Sequence, residues 1–218
     1  MDELKVINLG LPKSGTTTLA EALRQAGLLV ADWRIRKGEG SKARLQSHFV
    51  GKLMYKAYFN TGNPLARLGD FDAFTEISVV RDGLCLWPQT DLGLITAIEE
   101  FHPGVKFLLS YRDSVALSDS MERWSDLGSD RLPDNPIPGL PVGFGHRHPH
   151  RLRWIEGHYE FCRRVFAGRD NFLEYDIEDP EAPTKIGAFL GRDLPWWGVE
   201  NFNEYRTSDT DIEGEDAF

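Results

Sequence analysis

Apolar positions along the chain switch repeatedly between short runs and 3.6-residue spacing, the pattern of strands alternating with helices. Val6, Ile7, Leu9 and Leu11 form a run that stops at Pro12, which predicts a buried parallel strand. Leu19, Ala22, Leu23 and Ala26 recur at i, i+3, i+4 and i+7, with Gly27 placed to cap that helix. Leu28 to Ala31 reads as a second strand ending at Asp32-Trp33, and Phe49, Val50, Leu53, Met54, Ala57 and Tyr58 as the core stripe of a second helix. Leu94, Ile95, Ile98 and Phe101 mark a third helix stopped by Pro103-Gly104, and Val105 to Tyr111 is the clearest strand after the first. Asp113 or Ser114 can cap the next helix, which carries Leu117, Met121 and Trp124 inward. Leu152, Ile155, Tyr159, Cys162 and Phe166 predict another helix, Phe172 to Tyr175 a strand, and Ala182, Ile186, Phe189 and Leu190 a last helix ended by Gly191. The alternation argues for an α/β three-layer sandwich with a central parallel sheet and a ligand at the C-terminal ends of its strands.

Three stretches lack this regularity. Asn60 to Gln89 is turn-rich and contains Asp70-Phe71-Asp72-Ala73-Phe74-Thr75-Glu76, which reads as a loop walling a site. Residues 128–150 hold five prolines, four glycines and three histidines, and are expected to be a long loop acting as a lid or substrate segment. His146, His148 and His150 have no Cys or carboxylate partner nearby in sequence, so that loop is read as lying near substrate and not as a metal site. Trp196-Trp197 through Tyr205 is aromatic and irregular, and is expected to pack back on the body.

With 218 residues, 41% of them hydrophobic, the chain suits one domain over 1–203. Net charge is −9, of which the stretch 204–218, with six acids and one base, contributes −5 and reads as a flexible acidic tail. So acidic a protein is not expected to bind nucleic acid. Met1 to Lys5 lacks a basic, apolar leader and no later run approaches a membrane span, so the expectation is a cytoplasmic protein without a membrane partner. Cys85 and Cys162 are read as buried thiols and imply no zinc. Against the overall acidity, residues 34–56 carry seven Lys or Arg and one acid, Glu39. Most of these bases fall opposite the core stripe of the second helix, as on a solvated face, while the glycine-rich start Arg36 to Lys42 suits contact with an anion.

The chemistry concentrates between the first strand and the first helix, in Gly10-Leu11-Pro12-Lys13-Ser14-Gly15-Thr16-Thr17. Two glycines free the backbone, two threonines offer hydroxyls at the helix start, and Lys13 adds charge, which together make an anion site. A nucleoside triphosphatase loop reads G-x-x-x-x-G-K-[ST]. Here Thr16 stands in the lysine position and the lysine lies inside the loop. The strand Val105 to Tyr111 also ends in Arg112 where an aspartate for magnesium would be wanted.

Pro12-Lys13-Ser14-Gly15-Thr16-Thr17 resembles the 5′-phosphosulfate loop of the sulfotransferases that use 3′-phosphoadenosine 5′-phosphosulfate, PAPS. A second match is Arg112 at a strand end with Ser120 eight residues on, similar to the pair that holds the 3′-phosphate in that family. Asp72-Ala73-Phe74-Thr75-Glu76 is similar to a segment of the bacterial-type soluble members. Two departures stand out: Thr18 replaces an aromatic residue, and Arg36-Lys37-Gly38 looks like a family clamp but lies near the wrong end of the chain.

The resemblance implies a P-loop-like sulfotransferase fold and transfer of a sulfuryl group from PAPS to a hydroxyl or amine of a small, partly apolar acceptor, releasing adenosine 3′,5′-bisphosphate, PAP, with no metal required. It places the donor against Pro12, Lys13, Ser14, Gly15, Thr16, Thr17, Arg112 and Ser120, with Trp33 a candidate to stack on adenine. Lys13 would stabilise the leaving phosphate. For the base that deprotonates the acceptor the order of preference is Glu76, Asp72, then His48. The alternatives are a magnesium-dependent P-loop small-molecule kinase and a non-catalytic nucleotide-binding protein of the same fold.

Overall fold

The computed structural model describes residues 4–38, 43–81 and 83–198. In chain order these form β1 (Val6–Asn8), α1 (Thr16–Gln25), β2 (Val30–Ala31), α2 (Val50–Thr61), β3 (Ala73–Phe74), β4 (Val79–Arg81), β5 (Leu84–Leu86), α3 (Leu92–Phe101), β6 (Lys106–Tyr111), α4 (Ser114–Glu122), α5 (Leu132–Asp134), α6 (His148–Val165), β7 (Phe172–Asp176) and α7 (Ala182–Leu190). Five strands make one parallel sheet in the order β2-β3-β1-β6-β7.

Because side chains alternate across a strand, each short run feeds both faces of the sheet. Val6, Ala73 and Leu108 join Leu19 and Leu23 of α1 and Ile186 of α7 on one side. Ile7, Phe74, Phe107 and Leu109 join Leu53, Ile98, Leu117 and Tyr159 on the other, so α2, α3, α4 and α6 cover that face. The three-layer α/β architecture is therefore as the periodicity predicts. Gly27 (φ +81°) follows α1 and Gly191 (φ +65°) caps α7, both in the left-handed region that their position requires. Asp113 caps α4 by accepting from the Val115 and Ala116 N–H groups.

Several irregular stretches are more ordered than their sequence suggests. Ala73–Phe74 is not loop but an interior strand, pairing with β2 on one side and β1 on the other. Val79–Arg81 and Leu84–Leu86 form an antiparallel hairpin beyond it. The 128–150 stretch is anchored and not a free lid, since Leu132, Ile137 and Leu140 are buried in the main core. Arg151 fixes its far end, donating to the Gly145 carbonyl at 2.8 Å and to Ser118 Oγ at 2.9 Å while pairing with Glu122 at 2.6 Å. Trp124 does not point inward and is 38% exposed. Trp197 meets Tyr175 edge to face at 6.0 Å; Tyr205 and the acidic stretch 204–218 lie outside the described residues. Cys85 and Cys162 are free thiols, and burial pushes Cys162 up to about 12. Among the described residues, no helix is long and apolar enough to cross a membrane.

His158 ties α6 to the strand that leads into the glycine loop. It is buried, with Nε2 2.7 Å from the Leu9 carbonyl, and burial lowers its pKa to about 4. A neutral imidazole donating to that carbonyl satisfies both groups. The stabilisation is fully present above the unfolded pKa of 6.5 and is lost as pH falls toward 4, because the unfolded chain takes up the proton first. Integrated over that interval the loss is about 3 kcal/mol. Urea unfolding of the native chain and of His158→Gln should show their stability difference shrinking by that order between pH 7 and pH 4. A difference constant with pH would mean that His158 is not held neutral in the fold.

Candidate functional site

The C-terminal ends of β1, β2, β3, β6 and β7 lie along one edge of the sheet, as parallel pairing requires, and the glycine loop follows β1 at that edge. Asn8, at the end of β1, organises this edge. Its side-chain amide donates to the Thr75 carbonyl at 2.9 Å and to Ser110 Oγ at 3.2 Å, and its oxygen accepts from the Gly10 and Ser110 N–H groups. One buried side chain thus joins β1 to β6 and to the residue that follows β3. Ser14 extends the network, with its hydroxyl bonded to the Leu11 carbonyl (2.7 Å) and Ser110 Oγ (2.6 Å). Ser14 therefore shapes the loop from beneath: it is fully buried and its hydroxyl is committed to these two partners.

The loop's upper surface carries the charge. Lys13 has φ +74° and Gly15 φ +89°, so the backbone turns twice through the left-handed region before α1 begins. Gly15 is the N-cap of α1, no side chain caps that end, and the first turn contains no acid. The first N–H groups of a helix have no intrahelical partners, which leaves this terminus suited to an anion. Lys13 Nζ rests 3.4 Å from the centre of the Trp124 ring. Burial first, then the nearby Arg112 charge, lower the Lys13 pKa to about 8, against an opposing pull from Glu76.

Glu76 follows β3 by two residues, which brings it to the loop. It is buried and accepts from the Ser78 N–H at 3.1 Å, from the Ser78 hydroxyl at 2.5 Å and from the Thr16 hydroxyl. Burial raises its pKa to about 8, and Asp32 adds to the rise, although the Ser78 and Thr16 hydrogen bonds work the other way. Asp32, at the end of β2, is 6% exposed and accepts from the Trp33 N–H. Its participation has no counterpart among the residues singled out by sequence, because the only signal was its place just past a strand.

On the opposite flank, Arg112 Nη1 donates to the Lys13 carbonyl at 3.1 Å, and Nε lies 3.8 Å from Glu178. That Nε is buried and has no hydrogen-bond acceptor among the described residues. Tyr159 Oη donates to the Arg112 carbonyl at 2.9 Å and so fixes the strand end from α6. Ser120 is 2% exposed on α4, the helix that starts just after Arg112, and makes no direct bond to it.

Lys13, Gly15, Thr16, Glu76 and Arg112 are thus brought together, with Pro12 and Thr17 half-buried beside them. Three other candidates are not. Asp72 precedes β3 and lies at the N-terminal edge of the sheet, where it accepts from the Leu29 N–H at 2.7 Å, so it is removed as a base. His48 is exposed, with Nδ1 3.0 Å from the Gln46 carbonyl, and belongs to a different cleft. Trp33 stacks on Phe49 at 5.7 Å with Arg81 also against its ring, beyond the edge strand β2. β3 and β1 separate β2 from β6, which puts the backbones of those two strands about 15 Å apart. Trp124, by contrast, touches the site although its helical spacing hid it.

No protein-family model matches the chain, and no curated protein matches it. Among solved structures it is similar to the unliganded crystal structure of a sugar kinase from Janibacter sp. HTCC2649, at 13% identity and a TM-score of 0.46, over 86% of this chain and 94% of that one. A likeness so distant does not bear on the chemistry.

Proposed function

We propose that this protein is a PAPS-dependent sulfotransferase that moves a sulfuryl group to a hydroxyl or amine of a small acceptor. The observation that carries the reading is the placement of Lys13 within the loop, electrostatically coupled to a buried Glu76 on one side and to Arg112 on the other. The helix terminus at Gly15, which no side chain caps, and the Arg112 guanidinium, whose Nε has no hydrogen-bond acceptor among the described residues and lies 3.8 Å from Glu178, are the two groups that would hold the donor's phosphates.

Ionised Glu76 takes the acceptor's proton as its oxygen or nitrogen attacks sulfur in line. The sulfur–oxygen bond to the 5′-phosphate breaks and its electron pair stays on that phosphate. Lys13 and the loop N–H groups hold the charge that develops there, so the protein acts chiefly by positioning and electrostatics. Lys13 must leave Trp124 to do this, which makes the aromatic ring a resting place for the ammonium. Trp33, on the Glu76 side of the sheet, is better placed for an apolar acceptor than for adenine.

A second reading, magnesium-dependent phosphoryl transfer, is favoured by one feature: the Asp32 and Glu76 carboxylates and the Thr16 hydroxyl are oxygen groups of the kind magnesium takes. Ligand-induced stabilisation separates the two. PAP without magnesium, at about a hundred times its dissociation constant, should raise the melting temperature by about 5–10 °C. Stabilisation by ATP with magnesium and none by PAP would replace sulfuryl transfer with the kinase reading.

A further inference from the structure

A second concentration of positive charge lies away from the glycine loop. Among the described residues, Arg44, His48, Lys52, Lys56 and Arg67, together with Leu45 and Leu53, line a cleft of about 430 Å³. The local sequence explains the convergence. Lys52 and Lys56 are one turn apart on α2, the preceding turn supplies Arg44 and His48, and the segment after α2 returns Arg67 to the same face.

This is not an ordinary solvated face. The chain carries 34 acids against 25 Lys and Arg, and several surface arginines find one: Arg163 pairs with Glu174, Arg164 with Glu160, Arg169 with Glu99 and Arg131 with Asp126. Among the described residues, no carboxylate lines the cleft or pairs with Arg44, Lys52, Lys56 or Arg67. Like charges gathered over the buried Leu45 and Leu53 side chains repel one another, and low-dielectric walls focus the field outward. An anion entering the cleft relieves that repulsion. The enclosed volume is that of a small-molecule site and not of a flat polymer track.

We propose that this cleft binds a small molecule bearing two or more phosphate or sulfate groups. The assignment is independent of the sulfuryl-transfer reading, because none of its lining residues belongs to the Lys13, Glu76 and Arg112 cluster. His48 and Leu45 place its floor beside the backbone bonds that join 47–50 to 33–35, so an occupant would brace the segment leading from Asp32.

Inorganic pyrophosphate is the probe. Calorimetric titration at low ionic strength should give weaker binding in Lys52→Gln/Lys56→Gln by about tenfold or more. The urea unfolding midpoint, read in the same preparations, should stay near that of the native chain and reports that the variant is folded. Arg44→Gln/Arg67→Gln, on other segments, should reproduce the loss. Equal pyrophosphate affinity in native and variant chains overturns the site, as does absence of binding up to about 10 mM. A short DNA duplex that binds more tightly than pyrophosphate, and is lost with the same substitutions, would assign the face to a polymer and overturn the small-molecule site.

Discussion

Lys13→Ala should leave the fold in place and lower the rate of sulfuryl transfer by about 10²–10³-fold, the usual effect of removing one preorganised stabiliser of a developing negative charge. Lys13 sits on the loop surface against Trp124, so its truncation opens no core cavity. Glu76→Gln should cost about 10²–10⁴-fold by removing the base while keeping the shape. The pH profile distinguishes their roles. Glu76 titrates at about 8 and must be ionised to accept a proton, so kcat/KM rises with pH toward that value. Lys13 also titrates at about 8 and must be protonated, so the same quantity falls beyond it. A narrow bell centred near 8 is expected, with Glu76→Gln losing the rising limb and Lys13→Ala the falling one. Asp72→Asn, on the opposite edge of the sheet, should leave the profile unaltered. A flat profile from pH 6 to pH 9 in the native chain would remove both residues from the assigned roles.

The parts of this site that a sequence can show are those with a period or a spacing. The glycine loop, α1 and the long strand β6 are each several residues long and regular, so Lys13 and Arg112, which the structure brings together, are visible in advance. β3 is not, because two residues, Ala73 and Phe74, have no measurable alternation, and the carboxylates beside them look like loop. Yet β3 decides which carboxylate reaches the glycine loop: inserting a strand there sends Asp72 to one edge of the sheet and Glu76 to the other, although they are four residues apart. Strand order is the other hidden quantity. Trp33 follows a strand as an adenine-stacking residue would, but β2 lies at the sheet's margin with β3 and β1 between it and β6. In 128–150, frequent proline and glycine conceal an anchored segment, since Leu132, Ile137 and Leu140 are spaced by turns and not by a helical period.

The two loop glycines should fail for different reasons when replaced by alanine, and the difference tests how the loop is built. At Gly10 the backbone is unremarkable, but an added Cβ would overlap Ser110 Oγ and crowd Ser14 Oγ. Those hydroxyls bond to each other at 2.6 Å, so moving either breaks the network that Asn8 organises. Gly10→Ala should destabilise by about 1–3 kcal/mol, as overpacking does. Ser110→Ala removes the overlapping oxygen, so the double variant should be more stable than the sum of the single effects predicts. At Gly15 the added Cβ would overlap the Ile177 side chain, and φ is +89° besides. Ile177→Ala makes space but cannot relieve the left-handed backbone, which alone costs about 1–3 kcal/mol for a residue with a side chain. Gly15→Ala/Ile177→Ala should therefore regain less stability than the Gly10 pair, and should still bind PAP weakly because the strained residue is the N-cap of α1. Urea unfolding of both double-variant cycles, with PAP titration alongside, reads the two effects. Strictly additive energies at Gly10 and Ser110 would show that their contact does not set the loop, and the Asn8 network would then be packing without a part in shaping the anion site.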